Sequence, residues 1–229
     1  PPSREFADRF VIFSGGKLEY RKGQDIVIAA FRAFRQRHPE ALLVTAWHNF
    51  WHDYLAGIET MGHVRGIPQI GADRSLHISQ WLAENGIPPT VAIDLGVVPN
   101  PLLAQILREA DVAVLTNRGE GGTNLVAMEC MACGVPTILS ANTGHLDLIE
   151  SNCCYPLTTQ RRVKPLPPFV GVEGWGESDV DEVVEVLEDV YQHRSEARER
   201  GRMAAKWMQN WTWNKQVEKL LGQLQNFLN

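Results

Sequence analysis

Four short apolar runs constrain this chain most: RFVIFSG (9–15), ALLVTAW (41–47), DVAVLT (111–116) and PTILSA (136–141). They are short, rich in β-branched residues and bounded by Gly, Pro or polar turns, as strands buried on both faces are. Helical spacing fills the gaps. GQDIVIAAFRAFRQRHP (23–39) places Ile26, Ala29, Ala30, Phe34 and Arg37 on one face, and Pro39 stops it. SLHISQWLAENG (75–86) reads as a helix with a Ser N-cap and a Gly stop, and PLLAQILREA (101–110) as a short helix with Pro at its start. TVAIDLG (90–96) is strand-like, and a helix from about 124 to 133 ends at Gly134. Strand alternating with helix predicts an α/β domain with a parallel sheet.

After residue 150 the strands are expected to give way. Residues 156–178 read as a Pro- and Gly-rich connection. SDVDEVVEVLEDVY (178–191) is an amphipathic helix with Val180, Val183, Val184, Leu187, Val190 and Tyr191 on one stripe, and helices follow over 195–210 and 212–228. Residues 48–75 show no clean period. No internal repeat interrupts the 229 residues, which are expected to form one domain, 1–229. The lead PPSREFADRF is no signal peptide and resembles a cut made in a linker, so the chain is expected to be part of a longer protein.

A composition of 44% apolar and 21% charged residues is that of a soluble globular protein, and a net charge of −5 argues against a nucleic-acid partner. No apolar run reaches the length of a membrane span. Of the four cysteines, Cys130 and Cys133 have CxxC spacing but fall in an apolar helical run, and Cys153 and Cys154 are adjacent. They read as reduced core residues, which fits the cytoplasm. His48-x-x-x-His52 would hold zinc on a helix, but it lacks the Glu of HExxH and follows a strand, so no metal is assigned.

In open parallel sheets, ligands bind beyond the carboxyl ends of the strands. Three stretches fall there. SGGKLEYRKGQ (14–24) ends a strand in Gly15 and Gly16, adds Lys17, Arg21 and Lys22, and starts a helix. It suits an anion such as a diphosphate, or is a solvated basic turn; it matches neither the P-loop nor the GxGxxG pattern. RGEGGTNLVAMECMAC (118–133) carries two glutamates, Glu120 and Glu129, around Gly119, Gly121 and Gly122. Glu129 sits among Leu125, Val126, Ala127, Met128 and Met131, where a carboxylate is costly unless hydrogen-bonded; the paired hydroxyls of a ribose would satisfy it. SANTGHLDLIE (140–150) adds Gly144, His145 and Asp147 at a helix start, with His145 a ligand contact, a cap or a solvent-exposed residue.

GGKLEYRKG resembles the Gly-Arg-Leu-x-x-x-Lys-Gly signature of retaining family 4 glycosyltransferases of the GT-B fold. EGGTNLVAMECMACGVPTI is similar to their Glu-Gly-Phe-Gly-Leu-x-x-x-Glu-Ala-Met-Ala-Cys-Gly-x-Pro-Val signature, and TWNKQVEKLL (212–221) to the helix that closes those chains. The resemblance implies a Rossmann-like parallel sheet with helices on both faces, the C-terminal, donor-binding half of a GT-B enzyme with extra C-terminal helices. Lys17 then replaces the family arginine and Lys22 is its lysine, both on the donor diphosphate, with Gly15 and Gly16 beside them. Glu129 holds the ribose hydroxyls. Gly122, Thr123, Asn124 and Leu125 offer backbone contacts to phosphate and sugar.

No metal or other cofactor is implied: two ammonium groups and a helix N-terminus stabilise the charge on the departing diphosphate. The lysine at position 17 keeps the charge but loses the bidentate geometry of arginine. The family sets its two glutamates one residue closer: counted from the helix side the first would fall at Gly121, an empty slot, and counted from the strand side at Glu120, which is favoured as the donor-sugar contact with an extra residue within Gly121–Asn124. The implied donor is a UDP-, GDP- or ADP-sugar, and the implied partner an N-terminal acceptor-binding domain of the same chain. Any peripheral membrane association would run through that missing half. Without it the chain is expected to bind nucleotide but transfer no sugar. The rival readings are a non-catalytic nucleotide-sugar-binding module and a GT-B sugar-nucleotide epimerase. Because the closing helix of this family crosses to the other domain, Trp211, Trp213 or Leu220 is expected to be exposed.

Overall fold

The computed structural model describes residues 6–150 and 152–228, with side chains through residue 225. Six parallel strands form the main sheet: β1 (Phe10–Lys17), β2 (Ala41–His48), β3 (Ala92–Asp94), β4 (Val112–Leu115), β5 (Thr137–Ser140) and β6 (Tyr155–Leu157). Their order is β3-β2-β1-β4-β5-β6. The chain builds outward from β1 to β3, then returns to the other side of β1 with β4. That reversal opens a crevice at the carboxyl ends of β1 and β4, the switch point of a doubly wound sheet. The Rossmann-like parallel sheet is as expected.

Residue alternation in β1 explains the two layers. Phe10 and Ile12 face one core with α1 (Gln24–Arg35), α2 (Ile78–Glu84) and α5 (Val180–Gln192). Val11 and Phe13 face the other, with α3 (Asn100–Leu107) and α4 (Leu125–Ala132). Neither set can turn to water, so β1 is apolar throughout its first half. After α5, α6 (Arg194–Met208) reaches the α4 side, where Ala204 and Met208 pack with Ala127 and Met131. All four cysteines are free thiols; Cys130, Cys153 and Cys154 are buried and Cys133 half-buried. Burial pushes the Cys154 thiol up to about 11.

Several expectations need correction. Strands do not stop at residue 150: β6 adds an edge to the main sheet, and β7 (Gln160–Arg162) pairs antiparallel with β8 (Gly176–Ser178) within the expected connection. Each of these strands is three residues long, too short for a periodic signal. Gly15 and Gly16 lie inside β1, which runs to Lys17 because its whole length pairs with β2. Ser75 is no helix cap; α2 begins at Ile78 after His77, and Ser75 bonds Asp73 in a local turn (N to Oδ1 3.0 Å). The expected helix start at 143–148 is a 3-10 turn, Thr143–Leu148.

Trp211 is half-buried against Trp207, with ring centroids 5.6 Å apart. Beyond it, α7 (Trp213–Leu228) turns Trp213, Val217, Leu220, Leu221 and Leu224 to solvent, Trp213 at 85% exposure. The exposure expected for Trp213 and Leu220 is present; that for Trp211 is not.

Candidate functional site

The two loops of the crevice are joined backbone to backbone. Gly23 ends the 3-10 turn Tyr20–Lys22 and opens α1 at φ 67°; a Cβ there would stand 2.0 Å from the Thr116 carbonyl oxygen. Only glycine tolerates both the angle and the approach. The Thr116 hydroxyl donates to the Gly23 carbonyl at 2.7 Å, and the amide of Arg118 to the Arg21 carbonyl at 2.8 Å.

Arg118 clamps the same junction. Its fully buried guanidinium holds Asp25 of α1 bidentately (2.8 and 2.6 Å), Glu177 of β8 through Nε (2.9 Å) and the Tyr20 carbonyl (2.8 Å). The Tyr20 ring lies 4.3 Å from it. Removing the arginine alone would strand two buried carboxylates, a loss of roughly 3–5 kcal/mol. This residue ties β4, α1 and β8 together.

Glu120 is the hub above that clamp. Its Oε1 accepts from Lys22 Nζ and Asn117 Nδ2, and its Oε2 from Arg21 Nη1 at 3.1 Å. Arg21 also bonds Glu19 (2.9 Å) and the Gly119 carbonyl (3.0 Å). With Lys22 and Arg21 side chains at 15% and 22% exposure, this is no solvated basic turn. Burial alone would raise the Glu120 carboxyl, but the charge and hydrogen bond of Lys22, with Arg21, outweigh it and hold it below the usual range. Burial also lowers the Lys22 ammonium, partly offset by Glu120.

The loop after Glu120 is set from the β5 side. The Glu120 amide donates to the Thr143 hydroxyl (2.8 Å), and a Cβ on Gly144 would meet the Gly122 carbonyl oxygen at 1.7 Å. Gly121 and Gly122 face open space. The left-handed turn into α4 falls on Asn124 (φ 62°), not on a glycine. Asn124 Oδ1 accepts from the Ala127 amide as an N-cap, and its Nδ2 donates to His145 Nε2 at 2.9 Å. His145 Nδ1 donates to the Ser140 carbonyl, so the ring is neutral; burial lowers it to about 4. His145 is fully buried, not exposed in a turn: it positions the start of α4.

Glu129 lies one turn into α4, on a neighbouring cleft of about 210 Å³ that it shares with Gly15, Gly16, His48, Gly96 and Asn100. Its carboxylate has no hydrogen-bond partner among the described residues, and burial raises it above the usual carboxylate range. Gly15 and Gly16 pack under Val126 of α4; a Cβ on Gly15 would meet it at 3.1 Å. Thr123 bonds the Met128 sulfur (3.1 Å), and Leu125 is exposed. Lys17 stands apart, its ammonium 4.2 Å from the Trp51 ring centroid. The structure thus brings Lys22 and Glu120 into contact and sets Glu129 beside Gly15 and Gly16, with Lys17 at a separate wall. His48 ends β2, and His52 sits in the next 3-10 turn bonded to the Arg74 carbonyl (3.1 Å), so the pair does not share a helix.

Sequence reasoning gave no role to Asn117 or Arg118 and none to Arg21 beyond its charge. Arg118 left one trace, a charged Asp25 just ahead of the apolar run Ile26–Ala30, but nothing local joins residues 93 positions apart.

Residues 98–220 match the family described as "Family 4 Glycosyltransferase in conflict systems". The D-inositol 3-phosphate glycosyltransferase of Paenarthrobacter aurescens is 24% identical over 208 residues, 91% of this chain and 42% of that protein. The chain thus spans less than half the length of that curated relative. Among solved structures, Anabaena HepE in complex with UDP and glucose has a TM-score of 0.66 at 17% identity, covering 95% of this chain and 49% of that one. The C-terminal domain of a group 1 glycosyl transferase (LpcC) from Francisella tularensis has a TM-score of 0.58 at 15% identity, covering 86% of this chain and 84% of that one. These likenesses show the GT-B half-fold. With more than half of its length matched by the family profile and both signature loops meeting at the switch point, the chain belongs to the family 4 glycosyltransferases of conflict systems.

Proposed function

We propose that this chain is the donor-binding half of a retaining glycosyltransferase that moves a hexosyl group from a nucleoside-diphosphate sugar to an acceptor. The observation that carries the reading is the convergence of Lys22 and Glu120 across the crevice, beside a cleft holding the unpartnered Glu129. The ribose hydroxyls donate to Glu129, relieving the desolvation of its carboxylate. Lys22 and the amides at the start of α4 face the diphosphate, and Lys17 reaches it from the neighbouring wall; together they stabilise its charge as the glycosidic bond breaks, with no metal. Gly122, Thr123, Asn124 and Leu125 bring backbone close to phosphate and sugar. Glu120 contacts the donor sugar. HepE, which has the same half-fold, is complexed with UDP and glucose, and this supports a nucleotide-sugar donor.

The acceptor-binding domain of the same protein supplies the other wall, and any membrane contact runs through it. Among the described residues no helix is long and apolar enough to cross a membrane; the proposed location is the cytoplasm. One observation favours a second reading, a non-catalytic nucleotide-sugar-binding module: both Glu120 oxygens are already taken by Lys22, Asn117 and Arg21.

Calorimetry with UDP, GDP and ADP tests the donor reading, and binding of at least one is expected. Lys22→Ala should weaken the diphosphate far more than the matching nucleoside. No binding by any of the three sinks the donor reading. Sugar transfer is expected only when the acceptor half is present; a full-length protein that binds donor yet neither transfers nor hydrolyses it would favour the module.

A further inference from the structure

Lys17 leads away from the Glu120 hub into a second pocket of about 350 Å³, walled by Lys17, Glu19, Arg21, Trp51, Tyr54 and Phe169. Trp51 and Tyr54 are 56% and 40% exposed, which leaves ring surface open to a ligand or partner. They are nonetheless held in place. Buried Asn49 donates to the Leu18 carbonyl (2.8 Å) and accepts from the Trp51 amide (2.8 Å), fixing the turn that presents the indole. Tyr54 packs on Phe169 with ring centroids 5.7 Å apart, and Phe169 on Trp175 at 5.6 Å. Leu55, next along, is fully buried.

Arg21 is fully engaged, but several other polar groups of this pocket are free to meet a guest. Among the described residues, Lys17 Nζ has no carboxylate partner, and neither the Trp51 indole N–H nor the Tyr54 hydroxyl has a hydrogen bond. Glu19, only 5% exposed, gives one oxygen to Arg21 and leaves the other unpartnered at the pocket wall. Flat ring faces carry negative charge that meets the polarised axial C–H bonds of a sugar ring, and peripheral donors and a carboxylate meet its hydroxyls. An apolar guest would leave these groups unsatisfied.

We propose that this pocket is an acceptor subsite for a sugar ring stacked on Trp51. The inference rests on the donor reading, because Lys17 is then the wall shared with the donor diphosphate. In the transfer, an acceptor hydroxyl oxygen bonds the anomeric carbon as the bond to the diphosphate oxygen breaks. That oxygen keeps the electron pair and takes the hydroxyl proton.

The test follows the indole N–H signals of the full chain by NMR with glucose, galactose, mannose and N-acetylglucosamine, each with and without saturating UDP. At least one sugar should shift the Trp51 signal, and equally so with UDP bound. Trp51→Phe should retain part of that binding as read from the sugar's own signals. Trp51→Ala and Tyr54→Ala should each weaken it at least tenfold, and Glu129→Gln should leave it unchanged. UDP binding with no response to any sugar overturns this inference alone, as does loss of the sugar response when UDP is added, which would make the pocket part of the donor site. Sugar binding without nucleotide binding removes the donor reading and the acceptor role with it.

Discussion

Glu129 shows at the residue scale how a half-buried carboxylate can oppose stability. Its carboxyl is raised by burial and has no hydrogen-bond partner among the described residues. The folded state therefore holds its proton more tightly than the unfolded chain, and stability falls as pH rises from about 4.3 through the folded value. Glu129→Gln should leave the melting temperature at pH 7 unchanged or higher while weakening UDP, as measured by calorimetry, by roughly 10–100-fold, the worth of charge-assisted hydrogen bonds. Unchanged UDP affinity would remove the ribose role. Glu120 has the opposite sign. Its depressed carboxyl contributes stability that is present above about 4.3 and lost as pH falls through the folded value. Glu120→Gln should cost about 1.5–3 kcal/mol at pH 7 and flatten the acid limb of urea midpoint against pH. A parallel acid limb would show that the folded Glu120 carboxyl is not held below its unfolded value.

At the scale of elements, the crevice is shaped by close backbone approaches more than by flexible glycine. Gly144 in the 143–148 turn touches the Gly122 carbonyl, whereas Gly121 faces open space. Gly144→Ala should therefore displace the 120–124 loop and lower stability by roughly 1–3 kcal/mol, the usual cost of overpacking. Gly121→Ala should melt within about 0.5 kcal/mol of the parent. Paired thermal melts and urea curves distinguish the two, and equal effects would contradict this loop geometry. In that loop Asn124 takes the left-handed angle and still caps α4. The resemblance implied an added residue between the two glutamates. It could not show that Asn124, held by His145, absorbs the turn.

For the whole molecule, α7 is the unfinished surface. Trp213, Val217, Leu220, Leu221 and Leu224 recur at helical spacing and all face solvent. A stripe of this kind exposes apolar area that a hydrophobic probe can cover. Leu220→Glu with Leu221→Glu should reduce binding of a hydrophobic dye while leaving the melting temperature essentially unchanged; a large drop in melting temperature would mean that the helix packs on the body in solution.

By itself the sequence determined the class of fold, strands β1 to β5, helices α1 to α7, and the two loops that carry the signature residues. Burial repeats every second residue in a strand and every third or fourth in a helix, so each pattern is legible within a few residues. Tertiary structure alone decided the sixth strand, the β7–β8 pair and the partner of every charge. Lys22 meets Glu120 across 98 positions, and Arg118 meets Asp25 across 93. Both contacts exist because β4 returns beside β1, and a hydrogen bond forms only where strand order sets two loops about 3 Å apart. No local period records that distance.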